Sequence, residues 1–249
     1  MDTIKTDIKR AVWSLPFLVS VIIMTAVIAF GAGKNMLFPQ EVKYGLMPYY
    51  HMNLVFSSLQ SNIVLIVVPI ICTLPYTAAF LDEYTSGYIK FYIMKTHKED
   101  YVRGKVLAAA ISGGLTLAVS VCIVTILSAL IYRPMEIASE EAVSPILSLI
   151  IKTIVLFLSG CLWSSVGMLL ANVSLSKYMA YASPFVIYYV LVILAERYFR
   201  NVYVINPKEW LLQENFWPGG DWGVMMLLLL LMVPIMLISG SVIRRKIEG

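Results

Sequence analysis

The chain has 249 residues, 59% of them hydrophobic and 14% charged, with a formal net charge of +4 at pH 7. Soluble domains carry about 25% charged residues, so this composition excludes an ordinary water-soluble domain and reads as an integral membrane protein, with room for one membrane domain of about five to seven spans. The three cysteines, Cys72, Cys122 and Cys161, all lie in apolar runs, which excludes a disulfide framework or a clustered zinc site, and the small basic surplus gives no ground for nucleic-acid binding.

Residues 1–12 read as an interfacial helix, with Ile4, Ile8, Ala11 and Val12 on one face and Lys5, Asp7, Lys9 and Arg10 on another. The alternative is a cleavable leader, but the apolar run from Ala11 to Ala32 exceeds the usual apolar region of about 7–15 residues. The first span is predicted over 13–32, with Pro16 in its first turn, where the missing N–H costs little. A polar loop follows to Leu59. The second span, 60–81, holds Pro69 and Pro75 and is expected to be kinked or broken.

Residues 82–105 form a basic island between two apolar runs, containing Asp82, Glu83, Lys90, Lys95, Lys98, Glu99, Asp100, Arg103 and Lys105. Charges this dense cannot lie in hydrocarbon. Tyr84, Tyr88, Phe91 and Tyr92 nevertheless recur at helical spacing, so the island reads as a short amphipathic helix at the membrane surface rather than a plain connection, for which about 24 residues is long. Glu83 lies close to the membrane boundary, where a lone carboxylate is costly. Arg103 and Lys105 are the candidate partners.

The third span, 106–131, opens with Ala108, Ala109, Ala110, Ser112, Gly113 and Gly114, small residues that let another helix approach closely. The fourth, 145–171, offers Gly160, Ser164, Ser165 and Gly167 as its packing face, with Lys152 placed to snorkel. The fifth, 178–195, contains Pro184. Residues 196–221 mix polar and apolar positions and read as short outer helices, with Trp210, Phe216, Trp217 and Trp222 as interface aromatics. The sixth span, 222–243, ends in Arg244, Arg245 and Lys246. The expected fold is therefore all-α, one polytopic domain with six spans.

Orientation follows from the basic residues. With the N-terminus inside, Lys5, Lys9, Arg10, Lys90, Lys95, Lys98, Arg103, Lys105, Lys177, Arg244, Arg245 and Lys246 are inner, twelve of the nineteen Lys and Arg. The positive-inside rule then places both termini in the cytoplasm. Several function classes lack their motifs. No GxxxxGK[ST] occurs, so no phosphate-binding loop of that kind exists in this chain. His51 and His97 are the only histidines. Met47, His51 and Met52 offer a soft-metal set, though an ordinary loop explains them as well. The spans carry almost no ionisable residue, whereas ion-coupled carriers usually need one, and they hold no polar set for an intramembrane enzyme. Energy for any transport must enter another way.

The whole chain resembles the permease subunit of a type-2 ABC exporter: an interfacial helix, six spans, a basic cytoplasmic loop after the second span and short outer helices before the sixth. The local pattern is Glu83 with Gly87 four residues on, an apolar and basic helix over Ile89 to Lys95, then Tyr101 and Lys105. The resemblance implies a transport subunit that is not itself an enzyme, in the cell membrane, paired with a second copy or a paralogous permease. It implies two separate ABC ATPase subunits, which hold ATP and Mg²⁺, with no cofactor in this chain. The ATPase-coupling residues would be Glu83, Tyr84, Gly87, Tyr88, Lys90, Phe91, Tyr92, Lys95, Tyr101 and Lys105, and Trp210, Phe216, Trp217 and Trp222 would shape the outer gate. An amphipathic peptide or antibiotic is the expected cargo. Lipid, glycan or drug cargo and a non-transporting sensor or scaffold are the alternatives.

Overall fold

The computed structural model describes residues 2–31, 33, 46–94, 96–137 and 145–248. All regular structure among them is helical, in the order α1 (Asp2–Val12), α2 (Leu15–Gly31), α3 (Tyr50–Leu59), α4 (Asn62–Ile71), α5 (Ala79–Thr85), α6 (Tyr88–Ile93), α7 (Lys98–Tyr132), α8 (Ile146–Ser174), α9 (Lys177–Ile193), α10 (Pro207–Leu212) and α11 (Asp221–Glu248). Four helical stretches are long and apolar enough to cross a membrane: Lys98–Met135, Ile146–Ser174, Lys177–Tyr198 and Asp221–Glu248. The number rises to six if each of two bent pairs is one span.

Both bends have local causes. Between α1 and α2 the chain turns by 48°, and the Ser14 hydroxyl accepts from the Phe17 N–H at 3.2 Å, capping α2 where its first amides lack partners. Between α3 and α4 the turn is 68°. There Ser61 caps α4 by accepting from Val64 N–H. Gly31 at the end of α2 packs into this corner, where a Cβ would lie 2.6 Å from Ser61 Oγ. The stretch expected to be a plain polar loop before residue 60 thus holds a helix, α3. The second predicted span corresponds to α4, an irregular turn with Pro75, and the start of α5.

The centre of the bundle is the α7–α8 seam. At Gly113 an added Cβ would sit 2.5 Å from Ser164 Cβ, 2.7 Å from Cys72 O and 2.9 Å from Gly160 O, and at Gly114 one would sit 2.6 Å from Cys161 Sγ. Two helix backbones and the end of α4 therefore meet in space only hydrogen atoms can fill. Ser164 Oγ donates to Ala109 O across the seam at 2.6 Å, and Ser120 Oγ donates to Val21 O at 3.2 Å, tying α2 to α7. Large apolar side chains such as Ile22, Phe30, Leu230 and Leu237 stay exposed on α2 and α11, which is compatible with membrane spans, since apolar exposure has no penalty in hydrocarbon.

At one end of the bundle α1, α5, α6, the start of α7 and the last turns of α11 share one core, with Ala11, Phe80, Ile89, Tyr101, Val106 and Ile243 buried together. Helix α7 begins at Lys98, so the last third of the basic island is the first two turns of a long helix and not loop. Glu99 and Asp100 in that first turn complement the helix dipole.

Candidate functional site

A buried charge node lies at this end. Lys105 and Tyr101 are four residues apart on α7 and so share a face. The Lys105 ammonium, fully buried, spends its three donors on Asp7 Oδ1 at 2.9 Å, the Tyr76 hydroxyl at 2.9 Å and Glu83 Oε1 at 2.7 Å. Tyr76 donates to Asp7 Oδ1 at 3.0 Å, and Tyr101 donates to Glu83 Oε2 at 2.7 Å. Arg10 reaches Glu83 Oε1 at 3.3 Å from a half-exposed position. The ammonium also stands 5.2 Å and 5.4 Å from the Tyr76 and Tyr101 ring centroids, within cation–π range.

The formal charges of Asp7, Arg10, Glu83 and Lys105 sum to zero, so the node is compensated as a unit. Its members come from four places in the chain: Asp7 and Arg10 from α1, Tyr76 from the turn after α4, Glu83 from α5, and Tyr101 and Lys105 from α7. Helix α1 reaches the node because Gly104 has no side chain; a Cβ there would lie 2.8 Å from Asp7 Oδ2. Among the described residues no group of three or more His, Cys, Asp or Glu side chains could hold a metal ion. Its chemistry is positional. It fixes four segments to one another, because removing any charged partner strands another in a dry site.

Glu83 thus has the partner expected from the far end of the island, but that partner is Lys105 alone. Arg103 lies two residues away and faces elsewhere, pairing with Glu99 at 3.5 Å on the surface. Asp7, Arg10 and Tyr76 were not among the expected site residues. The available signal was weak: Asp7 is a lone acid amid the basic residues of α1, and Tyr76 follows Pro75.

Helix α6 hangs from this node. Gly87, between α5 and α6, has φ 73 with nothing within 4 Å of an added Cβ. The requirement there is conformational, since the left-handed region suits glycine. Ile89 is buried, and Tyr92 turns inward with its ring 5.2 Å from that of Tyr101. On the other face of α6 Tyr88 and Phe91 are 49 and 66% exposed, Met94 just after it is 75% exposed, and Tyr84 on the preceding α5 is 38% exposed. These large side chains are exposed on neighbouring turns, and Lys90 is exposed beside them. Lys95 lies outside the described residues.

At the opposite end, Trp210 on α10 is buried. It stacks on Trp163 at 6.1 Å between centroids and donates to Val204 O at 2.8 Å. Trp217 is buried edge-on against Tyr203 at 5.2 Å. Phe216 and Trp222 are exposed. Lys152 turns inward, donating to Leu211 O at 3.1 Å and Gln213 Oε1 at 2.5 Å, and so ties α8 to the α10 region. His51 Nδ1 lies 2.6 Å from Glu136 Oε1, a contact that joins α3 to the segment after α7.

The chain matches no family model and no curated protein.

Proposed function

We propose that this chain is the membrane subunit of an ATP-driven exporter of the type-2 ABC class, with separate ATPase subunits that dock on α6. One observation carries the reading: exposed Tyr88 and Phe91 on the short helix α6, with Met94 just after it and Tyr84 on the preceding α5, stand beside a buried, charge-compensated node to which α5 contributes Glu83. Exposed aromatic clusters of this kind mark protein interfaces, and a rigid anchor lets a push on α6 reach the bundle. The node grips α7 near its end. A helix of 35 residues is about 52 Å long, so a tilt of about 10° displaces its far end by about 9 Å. A movement of that size can alternately expose a pathway to the two sides.

In this reading α1 lies at the interface and α2, the α3–α4 pair, α7, α8, α9 and α11 are the six spans of a cell-membrane protein. Both termini are cytoplasmic, in keeping with the burial of Ala11 and Ile243 in one cluster. ATP and Mg²⁺ sit in the partner ATPase, a second permease copy completes the pathway, and the scarcity of charge along the spans, where Lys152 is tied to the α10 region, suits an amphipathic or apolar cargo, a peptide or antibiotic. Trp210 and Trp217 brace the outer end of that pathway, and the exposed Phe216 and Trp222 lie at its rim.

The test is a tagged full-length chain expressed in its own host. Phe91→Ala should weaken co-purification of an ATP-hydrolysing partner by about 30-fold, the loss expected of an interface anchor of about 2 kcal/mol. Lys98→Ala should lower it by less than about fivefold, as rim charges do. Insertion should be unchanged in both, because the spans are untouched. If Phe91→Ala and Tyr88→Ala both retain the partner and efflux of amphipathic cargo, the docking assignment fails. Partner binding without any efflux would instead identify a sensor or scaffold.

A further inference from the structure

A groove of about 1000 Å³ runs between the first turns of α7 and the last turns of α11, and no residue of α6 lines it. Its lining is graded. Val106, Leu107, Met236 and Leu237 form one end, and the charged side chains of Lys98, Glu99, Asp100, Arg103, Arg244 and Glu248 form the other. Because α7 and α11 are both candidate spans, the boundary between these ends falls where hydrocarbon gives way to headgroups. Leu237 is 69% exposed, so the apolar end opens sideways toward lipid.

The charged end is balanced, with three cations and three carboxylates. Its ion pairs stay within each helix: Arg103 with Glu99 at 3.5 Å on α7, and Arg244 Nε with Glu248 Oε1 at 3.0 Å on α11. No ion pair crosses the groove among the described residues. Two helices thus present both signs of charge to the groove, with Glu99 of α7 close enough to act on Arg244 of α11 electrostatically. An anionic ligand would leave the three carboxylates opposed to its charge; a dipolar one satisfies both sets.

We propose that this groove binds a zwitterionic glycerophospholipid bearing a primary ammonium. Its phosphate is held by the guanidinium groups of Arg103 and Arg244, which suit phosphate geometry. Its ammonium donates to the carboxylates of Asp100, Glu99 and Glu248, and one acyl chain lies along Val106, Leu107, Met236 and Leu237. A quaternary ammonium lacks the N–H donors this requires. The inference rests on the groove alone and stands whether or not the chain transports anything.

The experiment uses the full-length chain in delipidated detergent micelles, titrated with short-chain phosphatidylethanolamine, phosphatidylcholine or phosphatidylglycerol and read by native mass spectrometry and thermal unfolding. Phosphatidylethanolamine should bind as one molecule per chain, about tenfold more tightly than either of the others, as the loss of one charge-assisted hydrogen bond implies. Two variants should lower that affinity to the level of phosphatidylcholine: Arg103→Gln paired with Arg244→Gln, and Gly240→Leu, which places a side chain in the groove. Gly240→Ala should not, because its Cβ meets only Val102 Cγ1 at 3.5 Å. Equal binding of all three lipids, preference for phosphatidylglycerol, or undiminished binding by Gly240→Leu overturns the proposal. Efficient disulfide cross-linking of Leu237→Cys to a second copy also overturns it, since the groove would then be a protein interface.

Discussion

Lys105→Met should cost the fold at least about 3 kcal/mol. The substitution keeps the length of the side chain but removes the ammonium that Asp7, Glu83 and Tyr76 all share. Two carboxylates then remain in a site closed to water, opposed only by Arg10 at 3.3 Å, itself half in solvent. Breaking a buried ion pair on one side typically costs 3–5 kcal/mol, whereas replacing the whole set with neutral groups is close to neutral. The triple variant Asp7→Asn, Glu83→Gln, Lys105→Met should therefore regain most of the loss. Thermal unfolding of the purified chain in detergent measures both. Helix α1 should also become sensitive to protease in Lys105→Met alone, because Asp7 then loses its ammonium partner and only the half-exposed Arg10–Glu83 pair still ties α1 to the node. A single variant as stable as the original chain would show that the node holds nothing together.

Gly113→Leu should be comparably damaging for a different reason. The first added atom already meets Ser164 Cβ at 2.5 Å and two backbone carbonyls, Cys72 O and Gly160 O, at 2.7 and 2.9 Å. Backbone cannot rotate away as a flexible side chain can, so α7, α8 and the end of α4 must separate. Overpacking typically costs about 1–3 kcal/mol, and here separation would also break the Ser164–Ala109 hydrogen bond. A loss of at least about 3 kcal/mol is expected for leucine and less for Gly113→Ala. Recovery of folded, monodisperse protein after extraction checks the order.

Much of the fold was legible because hydrocarbon imposes simple rules. Uninterrupted apolar runs gave α8, α9 and α11, the small residues from Ala108 to Gly114 announced the close seam with α8, and Pro69 with Pro75 announced irregularity after α4. Two boundaries were hidden. The charges from Lys98 to Lys105 look like loop in a linear reading, yet they form the first turns of α7, where acids favour the helix start. Tyr50–Leu59 is too polar to read as part of a span, and its helix is set by packing on α2 and α7.

The candidate site was half legible. Desolvation calls for a cationic partner for Glu83 from the far end of the island, Arg103 or Lys105, and the choice of Lys105 needed the structure. Asp7 lies 98 residues from Lys105, and no spacing rule connects them. What brings them together is the crossing of α1 over Gly104, a tertiary event. The split of α6 into an inner face, Ile89 and Tyr92, and an outer one, Tyr88, Phe91 and Met94, also needed the structure. From sequence, Phe91 and Tyr92 were equivalent anchors.

The central claim is that the outer face of α6 receives an ATPase, and contact from Phe91 measures it most directly. A photoreactive p-benzoylphenylalanine placed at position 91, irradiated in living cells, should cross-link to a soluble protein whose mass-spectrometric sequence contains GxxxxGK[ST] and whose ATP hydrolysis this chain alters. The same probe at Trp222, exposed at the opposite end of the bundle, should not reach it. Cross-links from position 91 that go only to lipid or to this chain, or that reach the same protein equally from position 222, would contradict the account.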